Sequence, residues 1–272
     1  MYSAQFDAAI KHISSLDPIL GEVAKAHQFP DFLQSNIPIG SFRYIVESVI
    51  SQQLSGLAAR AIKNKFVDFY GAFPEPKAVL DTSHEQLRLL GLSNAKCTYV
   101  KEVSQAFDSG RLSDEIFATA SPDEIVDLLV SIKGIGAWSA QMFLIFYIRH
   151  LDVFSLGDLG VQRGFTEYMK QSKMHHITSS RIEDAKEEDI KPFGTVKKAL
   201  MKPPLAPELK HMMAVAGKFR PYRSVFQLML WKMSDTIVSI GKRAKSDDPV
   251  RTKSKVKGTK RVRVAKKETI NE

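Results

Sequence analysis

Two places in this 272-residue sequence put chemically useful residue types where a helix should begin. The first is Leu129-Val130-Ser131-Ile132-Lys133-Gly134-Ile135-Gly136-Ala137-Trp138-Ser139-Ala140. One amphipathic helix ends there, two glycines flank a single apolar residue, and a second helix starts at once. Glycines at such a point allow a tight turn and let backbone approach a ligand closely. The N–H groups that open the second helix have no intrahelical partner and point outwards, which suits an anion such as a phosphate oxygen. Taken alone, Gly-Ile-Gly is equally the corner of any two packed helices. The second place is Asp152-Val153-Phe154-Ser155-Leu156-Gly157-Asp158-Leu159-Gly160-Val161. Asp158 follows an apolar turn, stands at a helix start, and lies 22 residues beyond Gly136. Other candidates are weaker. His175-His176 suggests a metal, but adjacent histidines do not easily converge on one ion. The single cysteine, Cys97, excludes an internal disulfide and any thiolate-ligated zinc or iron–sulfur site built by this chain alone. It reads as a small buried apolar residue.

The elements that must position these residues are helical. Helical spacing dominates from Ser3 to Ile240, and no segment sustains the alternation of a strand. Asp17-Pro18 places a capping residue before proline at the first helical position and opens Ile19 to Ala26. Ser121-Pro122-Asp123-Glu124 has the form of a capping box. The helix after it carries Ile125, Leu128, Leu129 and Ile132 on one face. Further helices are predicted over Phe42 to Gln53, Gly56 to Tyr70, His84 to Leu90, Ala95 to Asp108, Ala137 to Ile148, Leu159 to Met169 and Tyr222 to Val238. Breaks fall at Gly71-Ala72-Phe73-Pro74, Gly91, Gly110 and Pro203-Pro204. Gln171 to Lys202 is polar, weakly periodic, and reads as an excursion between helices. The fold class is all-α.

Composition sets the outer limits. With 44% hydrophobic and 25% charged residues, the chain has ample material for a core. The formal charge of +9 is a property of the C-terminus: Lys242 to Glu272 hold 12 Lys+Arg and 4 Asp+Glu, which leaves the other 241 residues at +1. That segment has no aromatic residue, so it is expected to be a disordered basic tail that either tracks phosphates or serves solubility or targeting. The longest apolar run, Met142 to Ile148, is too short for a bilayer. Met1 to Ala9 shows no secretory pattern. An intracellular protein with no membrane association is expected.

Together these segments resemble the helix–hairpin–helix/Gly-Pro-Asp superfamily of base-excision DNA glycosylases, and within it the DNA-3-methyladenine glycosylase II (alkylpurine) family. The likeness rests on the hairpin, the spaced Asp158, the segment Phe42-Arg43-Tyr44-Ile45-Val46-Glu47-Ser48-Val49-Ile50-Ser51-Gln52-Gln53-Leu54-Ser55, and Phe219-Arg220-Pro221-Tyr222-Arg223-Ser224. These cover most of residues 40 to 238. The resemblance implies a helical core over 1–241. Its central subdomain would span about 41–150. A second would combine the N-terminal helices with about 151–241, a DNA-binding cleft would lie between the two, and 242–272 would be the tail. It departs from the best-known bacterial members, which carry an N-terminal mixed α/β subdomain. Only about 40 residues precede Phe42, so that subdomain is expected to be missing.

Carried over residue by residue, the resemblance makes Asp158 the catalytic carboxylate and Trp138, Met142 and Tyr222 the lining of the base pocket. Gly134 and Gly136 would hold a phosphate, with Lys133 touching the backbone beside them. Gln52, Gln53, Leu54 and Ser55 would face the minor groove, with Gln53 or Leu54 filling the gap left by a flipped base. Trp138 falls where bifunctional members carry a Schiff-base lysine, so no lyase step is implied. No cofactor is implied beyond a monovalent cation on the hairpin's backbone carbonyls. The implied partner is double-stranded DNA with damaged bases, bound by a monomer. N-glycoside hydrolysis passes through a sugar with oxocarbenium character, which one carboxylate can stabilise. A purine alkylated at N3 or N7 leaves as a neutral base, so the second acid of O-glycosidases is not needed. Two alternatives remain open at this level: a non-catalytic helix–hairpin–helix DNA-binding protein, and a glycosylase for deaminated purines.

Overall fold

A computed structural model describes residues 3–29, 40–172 and 207–246, with side chains over 3–29, 40–172 and 208–234. Among the described residues there are thirteen helices and no strand. They are α1 (Ala4–Leu16), α2 (Pro18–Ala26), α3 (Ser41–Ser51), α4 (Gly56–Tyr70), α5 (Pro76–Asp81), α6 (His84–Leu89), α7 (Asn94–Asp108), α8 (Asp114–Thr119), α9 (Pro122–Val130), α10 (Ala137–Phe146), α11 (Leu159–Gln171), α12 (Pro207–Gly217) and α13 (Arg223–Ser246).

Most starts are fixed by a side chain that accepts an orphan N–H. Ser3, Asp17, Ser55, Ser83, Ser93, Ser113, Ser121 and Asp158 all cap in this way. Each cap is worth about 1 kcal/mol. The capping box at Ser121 and Glu124 forms as predicted, and Ser83 with Gln86 makes a second. Helix ends differ from the sequence expectation where the backbone leaves the right-handed region. α3 stops at Ser51 because Gln52 leaves the helical region with ψ 132°, and Gln53 follows at φ +56°. α10 stops at Phe146 because the N–H groups of Tyr147 and Ile148 both turn back to the Phe143 carbonyl, ahead of Arg149 at φ +66°. α5 and α8, six residues each, are not among the helices predicted from the sequence. α13 runs beyond Val238 to Ser246, so Lys242–Ser246 continue a helix where an unstructured tail was expected to begin. The rest of that tail, and the excursion after Ser172 with His175 and His176, lie outside the described residues.

Packing follows the apolar faces. α3 lies against α4 and α7, α7 also against α5 and α6, and α9 against α10. α1 and α2 pack on each other and on α13, which lies along α11. α10 is apolar on every side and buried along most of its length, which makes it the rod that the hairpin feeds directly into the core. α11 and α13 cross so closely that a Cβ on Gly164 would sit 1.9 Å from the Leu230 carbonyl oxygen. Asp17 is buried with both oxygens partnered: Tyr168 Oη and Ser172 Oγ each donate to its Oδ2 at 2.6 Å, and the Ile19 N–H to its Oδ1 at 2.9 Å. A buried carboxylate without such donors would cost several kcal/mol, so these bonds tie α1 and α2 to α11. Burial, and the carboxylate beside it, push the Tyr168 hydroxyl well above its ordinary range.

Candidate active site

The loop that delivers Asp158 is fastened from one side by the start of α13. Arg223 makes a two-pronged ion pair with Asp152, Nε to Oδ1 at 2.7 Å and Nη2 to Oδ2 at 3.0 Å. Ser224 Oγ donates to the His150 carbonyl at 2.7 Å and accepts the Val153 N–H at 2.9 Å. Gln227 Oε1, one helical turn on, accepts the Ser155 N–H at 2.7 Å. His150 lies in the same network; burial holds its imidazole below the ordinary histidine range, and its Nδ1 accepts the Asp152 N–H. The Arg-Ser pair of the Pro-Tyr-Arg-Ser segment therefore has a physical task. It sets residues 150–155 so that the chain enters α11 at a fixed point.

At that point Asp158 caps α11, and its carboxylate meets two indoles. Oδ1 accepts the Val161 N–H at 2.8 Å and Trp231 Nε1–H at 3.0 Å; Oδ2 accepts Trp138 Nε1–H at 2.6 Å. Three N–H donors, one of them at a helix N-terminus, orient a negative charge without neutralising it. Asp158 is only 8% exposed, whereas Trp138 is 48% exposed. The carboxylate is thus held away from bulk water beside an open aromatic face. Oδ1 has both lone pairs engaged, but Oδ2 accepts one bond of the two it can take, so its second lone pair is the one available to a reacting group.

Trp231 was not among the residues singled out in the sequence. It reaches Asp158 across 73 residues of chain, its ring lying nearly parallel to Phe146 at 6.2 Å. Gly160 makes room for it: a Cβ there would stand 2.9 Å from Trp231 Cδ1. Met142 sits one turn after Trp138 on α10 and is buried in the core. Tyr222, half-buried, packs edge-on to His12 of α1 with ring centroids 5.3 Å apart.

The hairpin and the Gln-Gln loop come together as one surface. Gly134 has φ +97°, and a Cβ there would fall 2.1 Å from Tyr99 Cγ, so glycine is required twice over. Gly136 precedes α10 without a side-chain cap, which leaves the opening N–H groups of that helix to another acceptor. Lys133 is exposed beside it. Gln52, expected at the minor groove, donates its amide Nε2–H to the Gly134 carbonyl at 3.0 Å, so half of its side chain is used inside the protein. Gln53 stands at the tip in the left-handed conformation, and Leu54 is 38% exposed beyond it. Ser55 accepts the Ala58 N–H and caps α4.

A family model described as "HhH-GPD superfamily base excision DNA repair protein" matches residues 46–191, more than half of the chain and all of the hairpin and Asp158. The chain belongs to the HhH-GPD superfamily. The DNA-3-methyladenine glycosylase of Saccharomyces cerevisiae is 30% identical over 260 residues, covering 86% of this chain and 82% of that protein. Among solved structures, the DNA-3-methyladenine glycosidase of Bacillus halodurans superposes with a TM-score of 0.61 at 27% identity, covering 85% of this chain and 91% of that one. The Schizosaccharomyces pombe 3-methyladenine DNA glycosylase in complex with abasic DNA gives 0.59 at 25% identity, covering 84% and 97%. The HhH-GPD fold of this chain is therefore shared along most of its length, with the Asp158 loop and the hairpin inside the matched region.

Proposed function

We propose that this chain is a monofunctional DNA glycosylase of base excision repair that withdraws alkylated purines of the 3-methyladenine and 7-methylguanine type from duplex DNA and hydrolyses their N-glycosidic bond to leave an abasic site. The observation that carries this reading is the pairing of a covered Asp158 carboxylate with the half-exposed Trp138 ring that donates to it. A cationic purine stacked on that indole brings its sugar towards the free lone pair of Oδ2. As the bond to the base lengthens, the sugar gains positive charge and Asp158 stabilises it; the same carboxylate then orients or deprotonates the attacking water. The alkylated base departs neutral, so no general acid is required. A normal purine is rejected partly because it is a poor leaving group.

The hairpin holds the strand during this step, with a phosphate against the N–H groups that open α10. Its carbonyls at Ile132 and Gly134 each accept one hydrogen bond and keep a second lone pair. Neutral oxygens of this kind suit a hard monovalent cation, which would add positive charge near the same phosphate.

With tryptophan at position 138 no amine is positioned there to attack the sugar, so the abasic strand should remain intact and borohydride should trap no protein–DNA adduct. Efficient trapping by the unmodified chain would overturn the monofunctional reading. Trp138→Ala should reduce discrimination in favour of cationic bases by about 1–2 kcal/mol, measured as the ratio of excision rates for alkylated and neutral purines. An unchanged ratio would remove Trp138 from the pocket.

Truncation after Ser246 leaves α13 whole and removes nine Lys+Arg. Single-turnover base release should be unaltered, while affinity for undamaged DNA falls and its log–log salt slope flattens by about 0.9 for each phosphate that is no longer neutralised. A slope equal to that of the full chain would show that the segment does not touch DNA.

A further inference from the structure

The Gln53-Leu54 tip and the glycine hairpin are far apart in sequence, yet both rest on one side of α7. Lys96, in the first turn of that helix, reaches across to the end of α3, where its ammonium donates to the Ile50 carbonyl at 2.8 Å and the Gln52 carbonyl at 2.6 Å. Carbonyls at a helix C-terminus have no intrahelical partner, and a cation there also meets the negative end of the helix dipole. Tyr99, three residues later and so on the same side of α7, fills the space that a Cβ on Gly134 would need. The amide of Gln52 closes the arrangement onto the Gly134 carbonyl. Two residues one turn apart on α7 therefore buttress the loop and the hairpin, and Gln52 joins them. The next two residues after Gln52 are the tip itself. A lysine on a DNA-facing surface would ordinarily be read as a phosphate contact, but two donors of this one point inwards.

We propose that Lys96 is a positioning residue for base extrusion: by gripping the Ile50 and Gln52 carbonyls it fixes the height and direction of the Gln53-Leu54 tip relative to the phosphate-holding hairpin, so that the tip enters the duplex in register with the base being withdrawn. This rests on the glycosylase reading above. It assigns Lys96 no contact with DNA and no part in bond cleavage.

The test uses the full chain with Lys96→Met, which keeps side-chain length and loses the donors, and Lys96→Arg, which restores a cation. Two quantities are measured: the preference for a duplex with an abasic-site analogue over undamaged duplex, which needs no chemistry, and single-turnover base release from a paired alkylated purine. Lys96→Met should lose at least tenfold in both, Lys96→Arg should recover to within threefold, and the salt slope of binding should not change. In a Leu54→Ala background, Lys96→Met should add less than a twofold further loss, because the tip that it positions is gone. A merely structural role would instead give losses that multiply in full. Full multiplication, a wild-type preference in Lys96→Met, or a slope reduced by about 0.9 would each overturn the proposal. Should the wild type release no base, the glycosylase reading fails. The abasic-site preference of Lys96→Met would still decide the role of Lys96.

Discussion

Asp158→Asn should slow base release at least about a hundredfold, a loss of roughly 3 kcal/mol of transition-state stabilisation, while DNA affinity stays intact or improves. The charge matters only as the sugar becomes cationic, so the ground-state complex has little to lose. The geometry also says where the substitution will be felt. Oδ1 is needed as an acceptor by both the Val161 N–H and Trp231 Nε1–H, so the asparagine carbonyl will take that position. Its NH2 group is then turned towards Trp138 Nε1–H, donor against donor, at a place where 2.6 Å now separates the atoms. Asparagine remains a good helix cap, so α11 should persist, and the lost charge-assisted bond to Trp138 should cost no more than about 3 kcal/mol of thermal stability. Single-turnover excision within tenfold of wild type would refute the assignment of Asp158. A large drop in melting temperature would show that its cap, not its charge, was being tested.

The second large effect is expected away from the chemistry. Gly164→Ala places a methyl group 1.9 Å from the Leu230 carbonyl oxygen and 2.5 Å from its carbon. Both are backbone atoms of α13, so no rotamer change can relieve the clash and the two helices must part. Overpacking against backbone should cost about 3 kcal/mol or more, several degrees in melting temperature. Separation of α11 from α13 also draws Asp158 away from Trp231, so excision should fall more steeply than the folded fraction does. Gly21→Ala is the control: its Cβ meets nothing closer than Ser14 Cβ at 3.5 Å, and inside α2 it should stabilise by about 0.5–1 kcal/mol. A Gly164→Ala protein with an unaltered melting curve would contradict the helix crossing.

How far the sequence discloses this arrangement depends on the range of each interaction. The cap at Asp158 and the capping box at Ser121 are legible because a short polar residue stands directly before helical spacing. The hairpin is legible because two glycines interrupt two amphipathic patterns, and the left-handed Gly134 bears out the turn read there. Arg223 and Ser224 could be noticed only through resemblance. Their partners, Asp152, His150 and Val153, lie more than 70 residues away, and nothing local marks the pairing. Trp231 was missed for the same reason. One signal was present: Gly160 and Gly164 stand four apart inside a predicted helix, a spacing that costs helical stability unless another element comes close on that side. That element is α13, carrying Trp231 and Leu230. Gln52 shows the converse, a half-buried polar residue expected on DNA whose amide is partly used inside the protein.

Base release from methylated and deaminated duplex DNA by the full chain, with free bases separated chromatographically and strand integrity scored before any alkali, tests the assignment of an alkylpurine glycosylase. 3-Methyladenine and 7-methylguanine are expected in the released fraction, with an intact abasic strand and loss of both bases with Asp158→Asn. Release of hypoxanthine alone, or of no base by a protein that still binds the duplex, would contradict it.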